Sequence, residues 1–336
     1  MALRLLEVII PQSSVEEMQE ILKNENLLDL WREEKFKEIN VYKLVTRSED
    51  AESIMDKFEK RFSALSEFRI VLLPVEATVP RPSFEKEQAK DANVAPEEKK
   101  RKRLRVSREE LYDKLVDSAQ LNYVYVAMIS LATVVAAIGL IQSNIVIVIG
   151  AMVIAPLLGP SVALSLATTL GDPDLGRRSL KTNVVGILLA FVIAVAMGMI
   201  FRVDAPTHEL ASRTAIAPFD IIVALAAGSA GALAFTSGIS TILIGVMVAV
   251  SLLPPLAACG VLIGNGFVSL GAKSFLLFLA NFISINLAGV LTFTLQGIRP
   301  LNWWEEKKAK SMTRFALFLW LVLLALLLTV IYLIKA

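Results

Sequence analysis

The sequence predicts an α-helical integral membrane protein of about seven spans, with an inverted 3+3 repeat containing Pro-broken helices and a small N-terminal α+β domain of ferredoxin-like pattern. Three observations predict it. First, 55% of the 336 residues are hydrophobic and the mean hydropathy is +0.61, more apolar surface than a soluble fold can cover. Second, the first 110 residues carry most of the charge. Third, residues 147–180 and 242–275, set 95 positions apart without a gap, agree at 13 of 34 positions. The identities include Gly150/Gly245, Met152/Met247, Leu157/Leu252, Pro160/Pro255, Gly171/Gly266, Gly176/Gly271 and Ser179/Ser274. A duplicated unit with prolines in mid-span is the best pointer a sequence gives to a transporter-type core and its binding region.

Residues 1–77 read as the soluble domain. RLLEVII (4–10), INVYKLV (39–45) and FRIVLLPVE (68–76) suit strands, while Val15, Met18, Ile21 and Leu22, then Ile54, Met55, Phe58 and Phe62, recur at helical spacing. A short strand around Leu27–Trp31 completes a βαββαβ order. The opening MALRLLEVIIPQSS holds Arg4 and Glu7 and no small-residue cleavage site, so it does not read as a secretory signal, and the domain is expected in the cytoplasm beneath the inner membrane.

Residues 78–118 form a Pro- and charge-rich linker, with Pro80, Pro82 and Pro96, followed by the basic run KKRKRLRVSR and the amphipathic stretch REELYDKLVDSAQ. Beside a membrane span the basic run reads first as an orientation signal and second as a contact for anionic lipid or a partner. Repeat 1 then occupies 119–201, an extracytoplasmic loop 202–217, repeat 2 218–296, and a connecting loop with a last span 297–336. The spans within them are 121–141, 144–170, 182–201, 218–236, 239–264, 275–296 and 314–334.

Three crossings per unit turn the second copy upside down relative to the first. Loop charge agrees: Arg177, Arg178 and Lys181 fall on the expected cytoplasmic side, and the mate of that loop, 266–276, carries only Lys273. If the Pro-containing segments dip in and return instead, the copies are parallel.

The residues expected to line a substrate path come from the two proline motifs and the polar positions after them. Span two holds Pro156, Gly159, Pro160 and Ser161, and span five holds Ser251, Pro254 and Pro255. Each proline lacks an amide donor and clashes with the carbonyl four residues back, so a break is expected in both spans near the bilayer centre. The freed carbonyls must face neighbouring helices, water or a ligand. A packing kink is the plainer account of either motif alone; the matched pair favours a site. Asn183 and Asn281 occupy equivalent places one helical turn off the main register, and Ser284 and Asn286 add further polar groups to an apolar run. They read either as helix-to-helix hydrogen bonds or as ligand contacts. Trp303, Trp304, Tyr123, Tyr125 and Tyr332 read as interfacial anchors.

Other classes lose ground on composition. One cysteine, Cys259, excludes an internal disulfide, and one histidine, His208, leaves little for zinc chemistry. No Asp, Glu, Lys or Arg lies deep in a span, which disfavours a proton-coupled carrier. The loop Gly171–Ser179 has the outline of a phosphate-binding loop but lacks its lysine and preceding strand. No cofactor, resident metal or nucleic acid is expected; the expected partners are the lipid bilayer and a small solute or ion, with homo-oligomer formation left open.

The segments LRLLEVIIP, SREELY, IGAMVIAPLLGP, LLPPLAACG and NFISINLAG together resemble the prokaryotic domain-of-unknown-function 389 family, the uncharacterised hydrophobic domain family, over roughly 1–10 and 107–296. The resemblance implies a bacterial or archaeal multi-pass membrane protein with a small soluble domain. It brings no activity and no catalytic residue. Ser251, where the first copy has Pro156, makes the two motifs unequal.

Function therefore reads first as a transporter or channel-like protein for a small solute or ion, with its path between the two repeats. The alternative is a membrane-embedded sensor or scaffold with a regulatory soluble domain. An enzyme acting on lipid comes last, for want of acid, base and metal groups.

Overall fold

The computed structural model describes residues 3–23, 25, 27–36, 39–75, 78, 107–203, 205–237, 241–298, 317–326, 328, 329, 331 and 332. The Pro80/Pro82/Pro96 linker, most of the Lys99–Arg108 basic run, and Trp303 and Trp304 lie outside the described residues. The chain divides into two compact units, Met1–Leu111 and Tyr112–Ala336.

In the first unit the order is β1 (Leu3–Pro11), α1 (Val15–Leu22), β2 (Asp29–Phe36), β3 (Ile39–Arg47), α2 (Ser48–Phe62) and β4 (Arg69–Val75). The sheet runs β2-β3-β1-β4 with every pairing antiparallel. Alternation along β1 buries Leu6, Val8 and Ile10, which pack with Met18 and Leu22 of α1 and with Ile54, Phe58 and Phe62 of α2. Each such side chain contributes roughly 1.5–3 kcal/mol of burial. The strand expected around Leu27–Trp31 is present but starts at Asp29 and runs on to Phe36. It lies at the sheet edge with Leu30 and Trp31 exposed, so its sequence lacks the burial alternation that marks the other strands, and its charges guard the edge. On the strands Lys43 sits between Glu33 at 2.8 Å and Glu7 at 3.5 Å, and the Glu33 hydrogen bond and charge hold its ammonium above the usual lysine range.

Helix α3 (Arg108–Ser118) starts at an N-cap, Ser107, whose Oγ accepts from the Glu110 amide. Arg4 of β1, buried, donates through Nη2 to Glu110 at 2.8 Å, and Arg108 pairs with Asp56 at 2.9 Å.

The second unit contains α4 (Tyr123–Ile141), α5 (Ile145–Ile154), α6 (Leu158–Leu170), α7 (Pro173–Ile200), α8 (His208–Ser212), α9 (Pro218–Ser237), α10 (Thr241–Gly264), α11 (Val268–Leu295) and α12 (Leu317–Leu326). Four of these, α4, α7, α9 and α11, are long and apolar enough to cross a membrane, and α5 with α6 makes a fifth if that bent pair is one span. The Ser251–Gly264 part of α10 and α12 are shorter apolar helices. Val146, Val153, Leu188, Val192, Ile222 and Leu291 point outward and exposed, as lipid-facing side chains would.

Duplicated positions do duplicated structural work. Gly171 and Gly266 both adopt the left-handed conformation, at φ 68° and 88°. Each closes its helix with the same bond, Asp172 N to Ala167 O at 2.9 Å and Phe267 N to Leu262 O at 2.9 Å, 95 residues apart.

Helix directions follow from which residues touch. Gly260 lies against Phe191 and Ala194, and Gly264 against Val195 and Met199; the numbers rise together, so α7 and α10 run side by side in the same direction. The turns at 171–172 and 265–267 set α6 against α7 and α10 against α11 as antiparallel hairpins. Tyr125 lies against Gly186, and Thr207 beyond α7 donates to Leu140 near the end of α4, so α4 and α7 are parallel. Gly228 against Ile285 and Thr236 against Gln296 make α9 and α11 parallel in the same way.

One expectation is corrected. The first proline motif breaks the helix, with α5 and α6 bent by 53°, but α10 continues through Pro254 and Pro255. The physical reason lies in the spacing. Ala155, before Pro156, takes the extended backbone that a following proline favours, at φ −68° and ψ 118°, and helix stops there. In α10 the adjacent prolines leave two successive carbonyls, those of Val250 and Ser251, without their helical amides, and the second is taken over by a side chain of α11.

Candidate functional site

The prolines set the stage for a polar seam. After the break at 155–157, α6 starts at Leu158, two residues before Pro160, which falls in the first turn where no amide donor is needed. Ser161 and Ser165 then lie one turn apart and both buried. Ser161 Oγ is 2.9 Å from Leu157 O and 3.2 Å from Asn183 Oδ1 on α7. Ser165 Oγ is 3.2 Å from both Ser161 O and Asn286 O, and 3.4 Å from Asn286 Oδ1 on α11. The three helices α6, α7 and α11 therefore share one buried polar cluster, and α11 belongs to the second copy.

The second motif has its own contacts. Asn281 Nδ2 donates to Ser251 O at 2.7 Å, the carbonyl whose helical amide Pro255 removes, and Ser274 Oγ donates to Pro255 O at 2.8 Å. In each unit the asparagine of the third long helix thus reaches the proline-containing segment before it. The buried Asn281 Oδ1, Ser284 Oγ and Ser179 Oγ have no hydrogen-bond partner among the described residues.

Of the expected path residues, Ser161, Asn183 and Asn286 come together with Ser165, while Ser251, Pro255 and Asn281 meet at the α10–α11 seam. Pro160, Pro254 and Pro255 are buried, and Pro156 is half-buried. Gly159 does a packing job, since a Cβ there would fall 2.7 Å from Ser118 Cβ. Ser165 and Ser274 were not singled out from the sequence. Ser165 was within reach, four residues after Ser161 on the same face; Ser274 stood in the matched pair Ser179/Ser274 without a spatial partner to give it meaning.

Among the described residues of the second unit, the buried polar side chains are uncharged: Ser, Thr, Asn and the hydroxyl of Tyr125. No group of three or more His, Cys, Asp or Glu able to hold a metal occurs among the described residues. The loop at Gly171–Gly176 is a helix junction: Asp172 Oδ1 caps α7 by accepting from Asp174 N and Leu175 N, and Oδ2 accepts from Tyr112 at 2.7 Å. Burial, then this bond to Asp172, pushes the Tyr112 hydroxyl up to about 12.

Apolar helices with outward-facing aliphatic side chains around an uncharged polar interior define a helical membrane protein. The chain belongs to the DUF389 family: residues 152–287 match the model described as "Domain of unknown function (DUF389)". It is also 35% identical over 334 residues, 99% of this chain and 100% of the relative, to the uncharacterized protein MJ0678 of Methanocaldococcus jannaschii. No solved structure matches the chain.

Proposed function

We propose that this protein moves a small solute or ion across the cell membrane, along a path between two inverted copies of a three-span unit. The observation that carries the reading is the buried cluster Ser161–Asn183–Ser165–Asn286, which joins the helix after the broken motif to the second copy at a place where polar groups are expensive to bury. Inversion is supported by α7 and α10 running in parallel, which makes each helix of one unit antiparallel to its mate in the other. A bend of 53° carries α5 into α6 onward rather than back, which favours a broken span over a re-entrant loop. With α10 crossing and α12 added, the count reaches seven spans, and the first unit sits in the cytoplasm beneath the inner membrane.

Among the described residues no acid, base or metal cluster stands beside the site's serines to activate them, so the protein is proposed to act without enzymatic turnover. The test is solute entry into proteoliposomes, followed by light scattering across a panel of alkali chlorides, amino acids and sugars. At least one should enter faster than into protein-free liposomes. Pro160→Ala with Pro255→Ala, in protein that still folds, should abolish that entry; unchanged entry removes the motifs from the mechanism.

A further inference from the structure

We propose that the Ser161–Ser165–Asn183–Asn286 cluster is a binding site for a dehydrated alkali-metal cation of sodium size. This deepens the transport reading and rests on it only for the direction of travel. Among the described residues, three asparagines are buried in the membrane unit. Asn183, Asn281 and Asn286 each spend their amide nitrogen on a main-chain carbonyl: Ser179 O at 3.0 Å, Ser251 O at 2.7 Å and Phe282 O at 2.8 Å. A carbonyl oxygen accepts and never donates, so these contacts fix which end of each carboxamide is nitrogen, and each oxygen points away from its own carbonyl partner.

Those oxygens are short of protons. Asn281 Oδ1, outside the cluster, has no partner among the described residues. Asn183 Oδ1 faces Ser161 Oγ, whose single proton has a closer acceptor in Leu157 O, at 2.9 Å against 3.2 Å. Asn286 Oδ1 faces Ser165 Oγ at 3.4 Å, with Ser161 O and Asn286 O both nearer at 3.2 Å. Neither carboxamide oxygen therefore has the nearest claim on a hydroxyl proton, and the four side chains of the cluster are each 1% exposed or less. Two buried carboxamide oxygens that each share a hydroxyl proton with a nearer acceptor attract a cation. The cluster carries no carboxylate to offset the much larger dehydration cost of a divalent ion, which selects a single positive charge.

The experiment measures the thermal unfolding midpoint of the purified protein in detergent, in NaCl, KCl, LiCl and choline chloride at equal ionic strength. The midpoint should rise with NaCl concentration above its value in choline, because a ligand that binds only the folded state stabilises it. Ser165→Ala and Asn286→Ala should weaken the apparent sodium affinity by about tenfold or more while unfolding in choline near the parent protein, since each removes one oxygen from the cage. Ser130→Ala, at a half-buried position outside the cluster whose hydroxyl donates to Val126 O, should leave the sodium response intact. A midpoint that is the same in choline and in every alkali chloride overturns the proposal, as does a sodium response that survives in both cluster variants. The two readings fail separately: sodium-dependent stability without flux of any solute removes transport and leaves the site, whereas flux without any alkali-dependent stability removes the site and leaves transport.

Discussion

At residue scale the most revealing contact is Asn281 Nδ2 on Ser251 O. Pro255 supplies no amide to that carbonyl, so α11 supplies one. The two residues are therefore energetically coupled although they lie on different helices. Asn281→Leu alone leaves the buried Ser251 carbonyl without its donor and should cost about 1 kcal/mol, the scale of a hydrogen bond between membrane helices. In a Pro255→Ala background the new amide at 255 takes the carbonyl, and the same Asn281→Leu change should be nearly neutral. A double-mutant cycle on reversible unfolding in detergent measures this; equal costs in both backgrounds would separate the two residues. The asparagines themselves were legible in the sequence, as polar positions inside apolar runs. Their carboxamide orientation was not, because it depends on which carbonyl each helix rotation brings within reach.

At the scale of elements, proline spacing decides between a break and a continuous helix. In the first motif a single proline forces its predecessor, Ala155, out of helix, and the next proline falls harmlessly in the first turn of α6. Identical treatment of the second motif in the sequence reading failed because rescue of a freed carbonyl by a neighbouring helix is invisible along the chain. Strand β2 was half visible for a related reason: an edge strand with exposed side chains has little burial pattern to show. The glycines of the α7–α10 seam give a test of close approach. A Cβ at Gly260 would fall 2.9 Å from Phe191 O and 2.9 Å from Val195 N, main-chain atoms that cannot turn aside, whereas at Gly150 it meets nothing within 4 Å. Gly260→Ala should therefore destabilise by about 1–3 kcal/mol despite its gain in helix propensity, and Gly150→Ala should stabilise by up to about 1 kcal/mol. Equal effects of the two changes on the unfolding midpoint would mean that the seam is not tightly packed.

At the scale of the whole membrane unit, the parallel run of α7 and α10 fixes where the hairpin turns lie. The turn at 171–172 precedes α7 and the turn at 265–267 follows α10, so helices lying side by side in one direction carry these turns at opposite ends. Asn265 Oδ1 accepts from Val203 N just beyond α7, which puts the segment leading to α8 at the same end as the second turn. Arg177→Cys should then react with a membrane-impermeant maleimide from one face, and His208→Cys and Ser269→Cys from the other; all three positions are exposed. The native Cys259 is buried and should stay silent in the parent protein. If Arg177 faces the cytoplasm, as its loop charge leads one to expect, its variant labels in inside-out vesicles and the other two in right-side-out vesicles. Labelling of Arg177→Cys and Ser269→Cys from the same face would mean that the copies are parallel, and a path between inverted units would have no geometry to stand on.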